Sequence, residues 1–459
     1  MLATWLGLAP CCWACTAIPP APLDSAERAG ALRARSLEDP ELHRFAAESV
    51  GLALPSGDEP WPVAALATSG LYFQPRVAIA AAELRRASAA IESARALPNP
   101  TLSIAPEYSL NPARGESPWS PALQLDWPIA TAGKRGHAID RATADALAAH
   151  YALASELVAV ERDVHLARLE LAAAERAAQI LAQEAEVARA LVVAWRQRVE
   201  LGAASHAESA PAELAAFTVE SELAAARARE AGARAALAAA IAIPSASLAS
   251  VRLVPVEDSA DSPGSPERTT LALTQRADVL GALARYAAVE ATLQGEVAKQ
   301  FPDLRIGSGY QWDQGQSKFL VGLSLDLPIF DRNHGPIAEA VAARARAAAE
   351  FDAVQTAALA EIERSGAQAA AARERADVLR ASAAALSAQA ARAEASHAAG
   401  AGTRLDALSA RALALRAARE LSDATSSAAA ANAALTAALA PARDDIAAIA
   451  QFLADREEP

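Results

Sequence analysis

The chain has 459 residues, only 4% of which are aromatic, and a formal net charge of −13. This acidic balance excludes the basic face that phosphate backbones require, so no nucleic acid is expected as a partner. The three cysteines, Cys11, Cys12 and Cys15, all lie at the start of the chain, which excludes a disulfide or a thiolate metal site elsewhere.

The beginning of the chain has the character of an export segment. Residues 1–22 are uncharged, and the first charged side chain is that of Asp24. The apolar run has the length of a signal-peptide core, although no basic residues precede it and prolines interrupt it. We interpret residues 1–22 as an atypical export signal, with a lipid on Cys12 or Cys15 as the alternative. Residues 23–60 are rich in proline and glycine and are predicted to form an irregular leader.

The next segment, residues 61–243, is predicted to contain a helix, a β-hairpin and a long helical hairpin. The first helix ends at Leu97-Pro98-Asn99-Pro100, because two prolines forbid its continuation. Alternation of apolar and polar residues then indicates two strands, the second over 122–127. Residues 137–201 contain neither proline nor glycine and predict one helix of about 95 Å. A helix of this length requires a coiled-coil partner.

Residues 271–440 repeat the same order of elements after a linker over residues 244–270, and residues 441–459 are predicted to form a loose C-terminal tail. Alternation predicts strands over 304–312 and 319–327. A helix from about residue 337 to residue 398 follows. The chain is therefore predicted to be one unit duplicated.

Both long helices are predicted to reverse direction through the same chemistry. A glycine supplies the left-handed residue that ends one helix, and a capping pair begins the next. These residues are Gly202, Ser205 and Glu208 in the first half and Gly400, Thr403 and Asp406 in the second. Their matching positions support the duplication.

Each half also has a junction at which a strand leads directly into a long helix. The junction residues are Pro128 and Gly133 in the first half and Pro328, Asn333 and Gly335 in the second. Asp126 and Asp326 lie opposite the apolar sides of their strands. They are therefore candidates for carboxylates that face the lumen of a barrel.

Four strands cannot close into a barrel alone, and exposed sheet edges are costly in water and forbidden in lipid. Other copies of the chain must therefore complete the sheet, and three copies would supply twelve strands, within the range of membrane barrels. The fold class is accordingly mainly α with a small β part. Long antiparallel coiled-coil hairpins accompany four strands per chain, with an internal two-fold repeat. The organisation predicts an oligomeric channel.

The order of these elements resembles the TolC family of outer-membrane efflux proteins. The resemblance rests on the Leu97-Pro98-Asn99-Pro100 segment, on Gly133-Lys134-Arg135 and on Gln275-Arg276-Ala277-Asp278-Val279, where Ala277 replaces the family's proline. The segment from Leu327 to Gly335 is similar to that of the CzcC-like heavy-metal efflux branch. The resemblance covers residues 61–440.

The resemblance implies a homotrimer with a twelve-stranded barrel in the outer membrane of a Gram-negative bacterium, in contact with its lipid, and a helical tunnel across the periplasm. A periplasmic adaptor would dock at the helix reversals. An inner-membrane pump, expected to be proton-driven, would supply the energy for exporting heavy-metal cations. We find no phosphate loop, catalytic grouping or clustered metal ligands in the sequence, so no enzyme activity, cofactor or bound metal is expected.

Two alternatives remain open from the sequence. Within the channel class, the protein could serve drug efflux or type I protein secretion, because a wide conduit selects little of its cargo. From another class, a coiled-coil scaffold or a periplasmic adaptor would share the long helices. The four alternating segments argue against an adaptor, which should carry a β-rich domain with more strands.

Overall fold

A computed structural model describes residues 19–112, 114–249, 251–255, 265–313 and 315–455. The predicted export signal lies outside these residues except at 19–22, and so do all three cysteines. The four strands are Thr101–Tyr108 (β1), Trp119–Ile129 (β2), Leu304–Asp313 (β3) and Gln316–Leu325 (β4). They form one antiparallel sheet in the order β1-β2-β3-β4, so the two predicted hairpins are joined side by side through β2 and β3.

Helices make up most of the described chain. They are Ser25–Ala34 (α1), Pro40–Phe45 (α2), Val63–Phe73 (α3), Pro75–Arg95 (α4), Lys134–Glu200 (α5), His206–Ile241 (α6), Ser245–Ala249 (α7), Pro266–Gln275 (α8), Ala277–Ala298 (α9), His334–Ala398 (α10), Arg404–Ala438 (α11) and Ile446–Asp455 (α12), with a π-helical turn at Ala46–Val50. Among the described residues, no helix combines the length and the apolar character needed to cross a membrane.

The two long hairpins confirm the predicted mainly helical fold. Helix α5 has 67 residues and packs on α6, whereas α10 has 65 residues and packs on α11. Along α10, Ala369, Ala376, Ala383 and Ala390 are buried at a spacing of seven residues. This is the repeat of a coiled-coil seam, and the small side chains let the helices approach closely. Because α5 also packs on α11, the four helices follow the order α6, α5, α11, α10.

The predictions of an irregular leader and a loose C-terminal tail are wrong. Leu42 and Phe45 of α2 are fully buried, and the ring of Phe45 lies 5.3 Å from that of Phe452 in α12. Ile446 and Ile449 of α12 are buried in the same core. Each segment alone has too few apolar residues to predict a core. Both segments become buried because they pack on each other and on α3, α5 and α6, whose Leu66, Leu157 and Ile241 lie in the same core.

The predicted linker is partly structured as well. It contains α7 and the first residues of α8, and residues 250 and 256–264 lie outside the described chain. Trp61 donates its backbone N–H to the Arg252 carbonyl oxygen at 2.8 Å and accepts from the Val254 N–H at 3.0 Å. The stretch after α7 is thereby attached to the start of the first half, next to the core formed by the chain ends.

Candidate functional site

The sheet has two chemically different faces. The strand register places large apolar side chains on one face, and all of them except Leu304 and Trp312 are exposed in the single chain. The exposed ones are Leu102, Ile104, Tyr108, Trp119, Leu123, Leu125, Trp127, Ile129, Ile306, Tyr310, Phe319, Val321, Leu323 and Leu325. The opposite face carries mostly small and polar residues. One face is therefore suited to an apolar surrounding and the other to water.

Asp126 lies on the polar face, as the alternation predicts. It is paired in register with Gly307, which is paired with Gly322 on β4. Its Oδ1 accepts a hydrogen bond from Gln124 Nε2 at 3.1 Å. A Cβ atom at position 307 would lie 2.8 Å from this oxygen, so the glycine gives the carboxylate space to lie along the wall of the sheet.

Asp326 does not share this environment, and the predicted extent of its strand is wrong. Pairing of β4 ends at Leu325, opposite Leu304. The chain then turns, because the Ile329 N–H donates to the Leu327 carbonyl oxygen at 2.8 Å. The side chain of Asp326 is 92% exposed, with Arg305 Nη2 at 3.9 Å. The two candidate carboxylates thus lie at different levels of the sheet.

The two junctions have the same backbone geometry. Gly133 precedes α5 with φ 74°, and Asn333 precedes α10 with φ 60°. Asn333 Nδ2 donates to the backbone oxygen and to Oε2 of Glu296 at 2.8 and 2.9 Å. Hydrogen bonds from Lys299 and then from Asn333 hold the pKa of Glu296 below its ordinary value. The start of α10 is thereby attached to the end of α9.

The first junction contacts the same region of the chain. Lys134 Nζ donates to the Phe301 carbonyl oxygen at 2.6 Å and to Asp303 Oδ1 at 2.7 Å. The Thr131 N–H donates to the same Asp303 oxygen at 3.0 Å. Both exits from the sheet therefore converge on residues 296–303, the connection between α9 and β3. The sequence places Lys134 at the exit from the first pair of strands. It could not identify the acceptors of this side chain, which lie 167 and 169 residues away.

The remaining predicted junction residues have different roles. Pro128 lies within β2, opposite Arg305, and the strand continues to Ile129. Pro328 follows the end of β4, where a missing N–H is tolerated. A Cβ atom at Gly335 would meet nothing within 4 Å, and its φ is not positive, so this glycine is not required by the backbone.

The first helix reversal has the predicted chemistry. Gly202 has φ 70° and donates its N–H to the Val199 carbonyl oxygen at 3.0 Å. Ser205 Oγ accepts from the Glu208 N–H at 3.4 Å, and Glu208 Oε2 accepts from the Ser205 N–H at 2.7 Å. These two bonds are a complete capping box. The backbone N–H of Ser205 and then its hydroxyl, which both donate to Glu208 Oε2, hold the pKa of Glu208 below its ordinary value.

The second reversal is built in a similar way. Gly400 has φ 74° and donates to the His397 carbonyl oxygen at 2.9 Å. Thr403 Oγ1 accepts from the Asp406 N–H at 3.1 Å and donates to Asp406 Oδ2 at 2.6 Å. The predicted caps are therefore present in both halves. The first reversal additionally exposes Leu201, which is 83% accessible.

A related contact in the two halves was not predicted. Gln74 lies at the break between α3 and α4, and its Nε2 donates to the Ala239 and Ala240 carbonyl oxygens at 3.0 and 2.7 Å. Arg276 lies at the break between α8 and α9, and its Nη1 donates to the Ala438 carbonyl oxygen at 2.7 Å. In each half, the residue at the helix break thus satisfies carbonyl groups at the end of the returning helix.

The described part of the chain shows no group of three or more His, Cys, Asp and Glu side chains arranged to hold a metal ion. The functional features are instead the two-faced sheet, the paired junctions and the paired reversals at the far ends of long helices. Together they place an antiparallel sheet at one end of the long helices and two helix reversals at the other.

Comparison with known proteins identifies the class. The family model described as outer membrane efflux protein matches residues 71–242 and 269–440, one match in each half. The chain is 28% identical over 276 residues to the cobalt-zinc-cadmium resistance protein CzcC of Cupriavidus metallidurans, covering 59% of this chain and 64% of CzcC. The matched region thus spans less than two thirds of that relative.

Two further comparisons agree. The nickel-cobalt-cadmium resistance protein NccC of Alcaligenes xylosoxydans xylosoxydans is 28% identical over 307 residues, covering 64% of this chain and 67% of NccC. The crystal structure of the outer membrane protein VceC of Vibrio cholerae superposes with a TM-score of 0.67 at 21% identity, covering 83% of this chain and 96% of VceC. At this level of identity, the similarity to VceC shows a shared fold and nothing further.

The chain belongs to the outer membrane efflux protein family, since the family model matches most of its length in two successive units. The resemblance to the TolC family and the internal repeat predicted from the sequence are confirmed.

Proposed function

We propose that three copies of this chain form a passive conduit that exports heavy-metal cations, in a complex with a periplasmic adaptor and an inner-membrane pump. The division of the sheet into an apolar and a polar face carries the proposal. Strands β1 and β4 are the two ends of the described sheet. An unsatisfied edge is not tolerated in lipid, so strands of neighbouring copies must pair with them.

Three copies would provide twelve strands, an ordinary size for a membrane barrel. The apolar face would contact lipid, and Trp119, Trp127 and Tyr310 supply the aromatic side chains that such barrels place near the membrane surfaces. The polar face would line the lumen. Asp126 would then contribute one carboxylate per copy to the pore wall, with Asp326 near its rim.

The helices would extend this pore. In one chain α6 and α10 are the outer members of the series α6, α5, α11, α10. In a closed ring, α6 of one copy would face α10 of the next. Twelve helices would then enclose a tunnel that continues the barrel through the junctions at Gly133 and Asn333.

The reversals lie at the free ends of the helical hairpins, and we propose them as the docking site of the adaptor. Residues 202–208 and 400–406 are exposed, except for Ala204, Gly402 and Leu405, which are half-buried. Leu201 adds an exposed apolar side chain beside the first reversal. The conduit itself supplies no energy in this scheme, and a proton-driven pump in the inner membrane would do so.

The cargo proposal rests on the two relatives named as resistance proteins for cobalt, cadmium, zinc and nickel. We test it with a strain lacking the protein, exposed to cobalt, zinc, cadmium and nickel salts. The expected result is a lower tolerance to at least one of these metals, restored by the wild-type chain. Unchanged tolerance to all four, together with a lower tolerance to organic drugs, would assign the conduit to drug efflux instead.

A further inference from the structure

Glu184 is a buried acid at the contact between the two helical hairpins. It lies on α5, is only 4% exposed, and its Oε1 accepts no hydrogen bond. Arg419 of α11 approaches this oxygen with Nε at 3.5 Å. The hydrogen bond of Arg419 goes elsewhere, from Nη1 to Glu222 Oε2 on α6. Glu184 is thus left beside a cation that another carboxylate already holds.

The charged groups around Glu184 come from both neighbouring helices. Helix α11 contributes Arg416 and Arg419, and α6 contributes Glu222. The two arginines favour the ionised form of Glu184, whereas Glu222 opposes it. A buried carboxylate oxygen without a hydrogen bond carries a desolvation cost, which protonation of the carboxylate reduces. Burial is the strongest of these influences and raises the pKa of Glu184 above its ordinary value.

A second acid nearby, Asp423 on α11, is partly desolvated but remains exposed. Asp423 lines a cavity of about 650 Å³ between α5, α6 and α11, together with Arg229 and Glu170. Burial, and then the charge of Glu420, raises the pKa of Asp423. Only Glu184 of these two carboxylates is buried, so packing of α11 against the first hairpin acts most strongly on its protonation.

We propose that the contact between the first hairpin, α5 and α6, and the helix α11 is proton-linked. Glu184 takes up a proton when these helices pack, so acidification tightens the contact and a rise in pH loosens it. The inference requires only the described helical contacts and holds for any cargo. It gives the helical wall a sensitivity to periplasmic pH that is separate from any pump.

The direction follows from linkage. A carboxyl whose pKa is higher in the packed state binds its proton more tightly there than when the helices separate. The contact is therefore strongest below the ordinary pKa of glutamate. It weakens as the pH rises through the raised value. For each unit by which the pKa of Glu184 in the packed state exceeds its pKa in the separated state, the equilibrium constant for packing changes about tenfold between low and high pH.

Hydrogen exchange of the full-length protein in detergent tests the proposal. Amides of residues 415–425 in α11 are compared at pH 5 and pH 7.5 after correction for intrinsic exchange. The wild type is expected to show greater protection at pH 5. Glu184→Gln, which mimics the protonated acid, should show high protection at both pH values. Glu186→Gln changes an exposed acid on the same helix and should keep the wild-type response.

Arg419→Met provides a second variant in case Glu184→Gln fails to fold. It removes the nearest cation, which favours the ionised form of Glu184, so the pH at which protection falls should be higher than that of the wild type. An exchange pattern in the wild type that is independent of pH would overturn the proposal. So would an unchanged pH response in Glu184→Gln. Neither outcome depends on transport, so the proposed cargo is tested separately.

Discussion

Gly133 and Asn333 adopt the same left-handed backbone conformation, and each lies directly before one of the two long helices. The duplicated halves have kept the conformation but not the residue. Glycine adopts it without steric cost, whereas asparagine is one of the few other residues that tolerates it. In return, the Asn333 side chain makes two hydrogen bonds to Glu296 that glycine cannot make.

The junction can be tested by substitution at Asn333. Asn333→Ala should lower stability by about 2 kcal/mol or more, because alanine is strained at positive φ and both hydrogen bonds are lost. Asn333→Gly should cost less, since it relieves the strain while losing the same bonds. Thermal unfolding in detergent measures both. Gly335→Ala is the control, because a Cβ atom at that position meets nothing. Equal effects of all three substitutions would contradict the assigned role.

The two faces of the sheet predict opposite responses to one charge. Val321→Lys places an ammonium on the apolar face and should disfavour membrane insertion by about 2–4 kcal/mol near the bilayer centre. Ser324→Lys, on the polar face of the same strand, should be tolerated. The amount of each variant in the outer membrane is the measurement. Loss of Ser324→Lys with retention of Val321→Lys would reverse the assignment of the faces.

Asp126 is expected to make the pore more permeable to cations than to anions. In planar bilayers, Asp126→Asn should shift the reversal potential in a salt gradient toward that of an unselective pore. Asp326→Asn should have a smaller effect, because that side chain lies beyond the strand and is almost fully exposed. Equal reversal potentials for the wild type and Asp126→Asn would exclude a role for Asp126 in ion preference.

The first reversal is expected to contribute apolar contact to the adaptor. Leu201→Asp should weaken co-purification with the adaptor while leaving the abundance of the channel unchanged, because the side chain is exposed and contributes little to the fold. Leu32→Asp, at an exposed position on α1, is the matched control. Adaptor retention equal to that of the wild type in Leu201→Asp would remove this residue from the docking surface.

The sequence was most informative where local rules are strong. The sequence predicts long helices over residues 137–201 and 337–398, and they are observed at Lys134–Glu200 and His334–Ala398. The prediction succeeds because no proline interrupts either stretch. The reversals were recognised because glycine ends and capping pairs are local signals. The two halves were recognised because these signals occur twice.

What could not be predicted depends on distant contacts. The leader and the tail are buried because they pack on each other, as Phe45 does on Phe452, and on helices that are distant in the sequence. The environment of Glu184 is set by Glu222 and Arg419, which no local pattern places beside it. The exposure of Asp326 depends on where pairing of β4 stops. Pairing stops at Leu325 because the chain turns between Leu327 and Ile329.

The most direct test of the central claim is the assembly state of the protein extracted from the outer membrane. The extract is run on a gel without heating, and its mass is measured in detergent after subtraction of the bound detergent. We predict a species containing three chains that falls to the single chain on boiling. A monomer before heating, or a protein found wholly in the soluble fraction, would contradict the proposed trimeric channel.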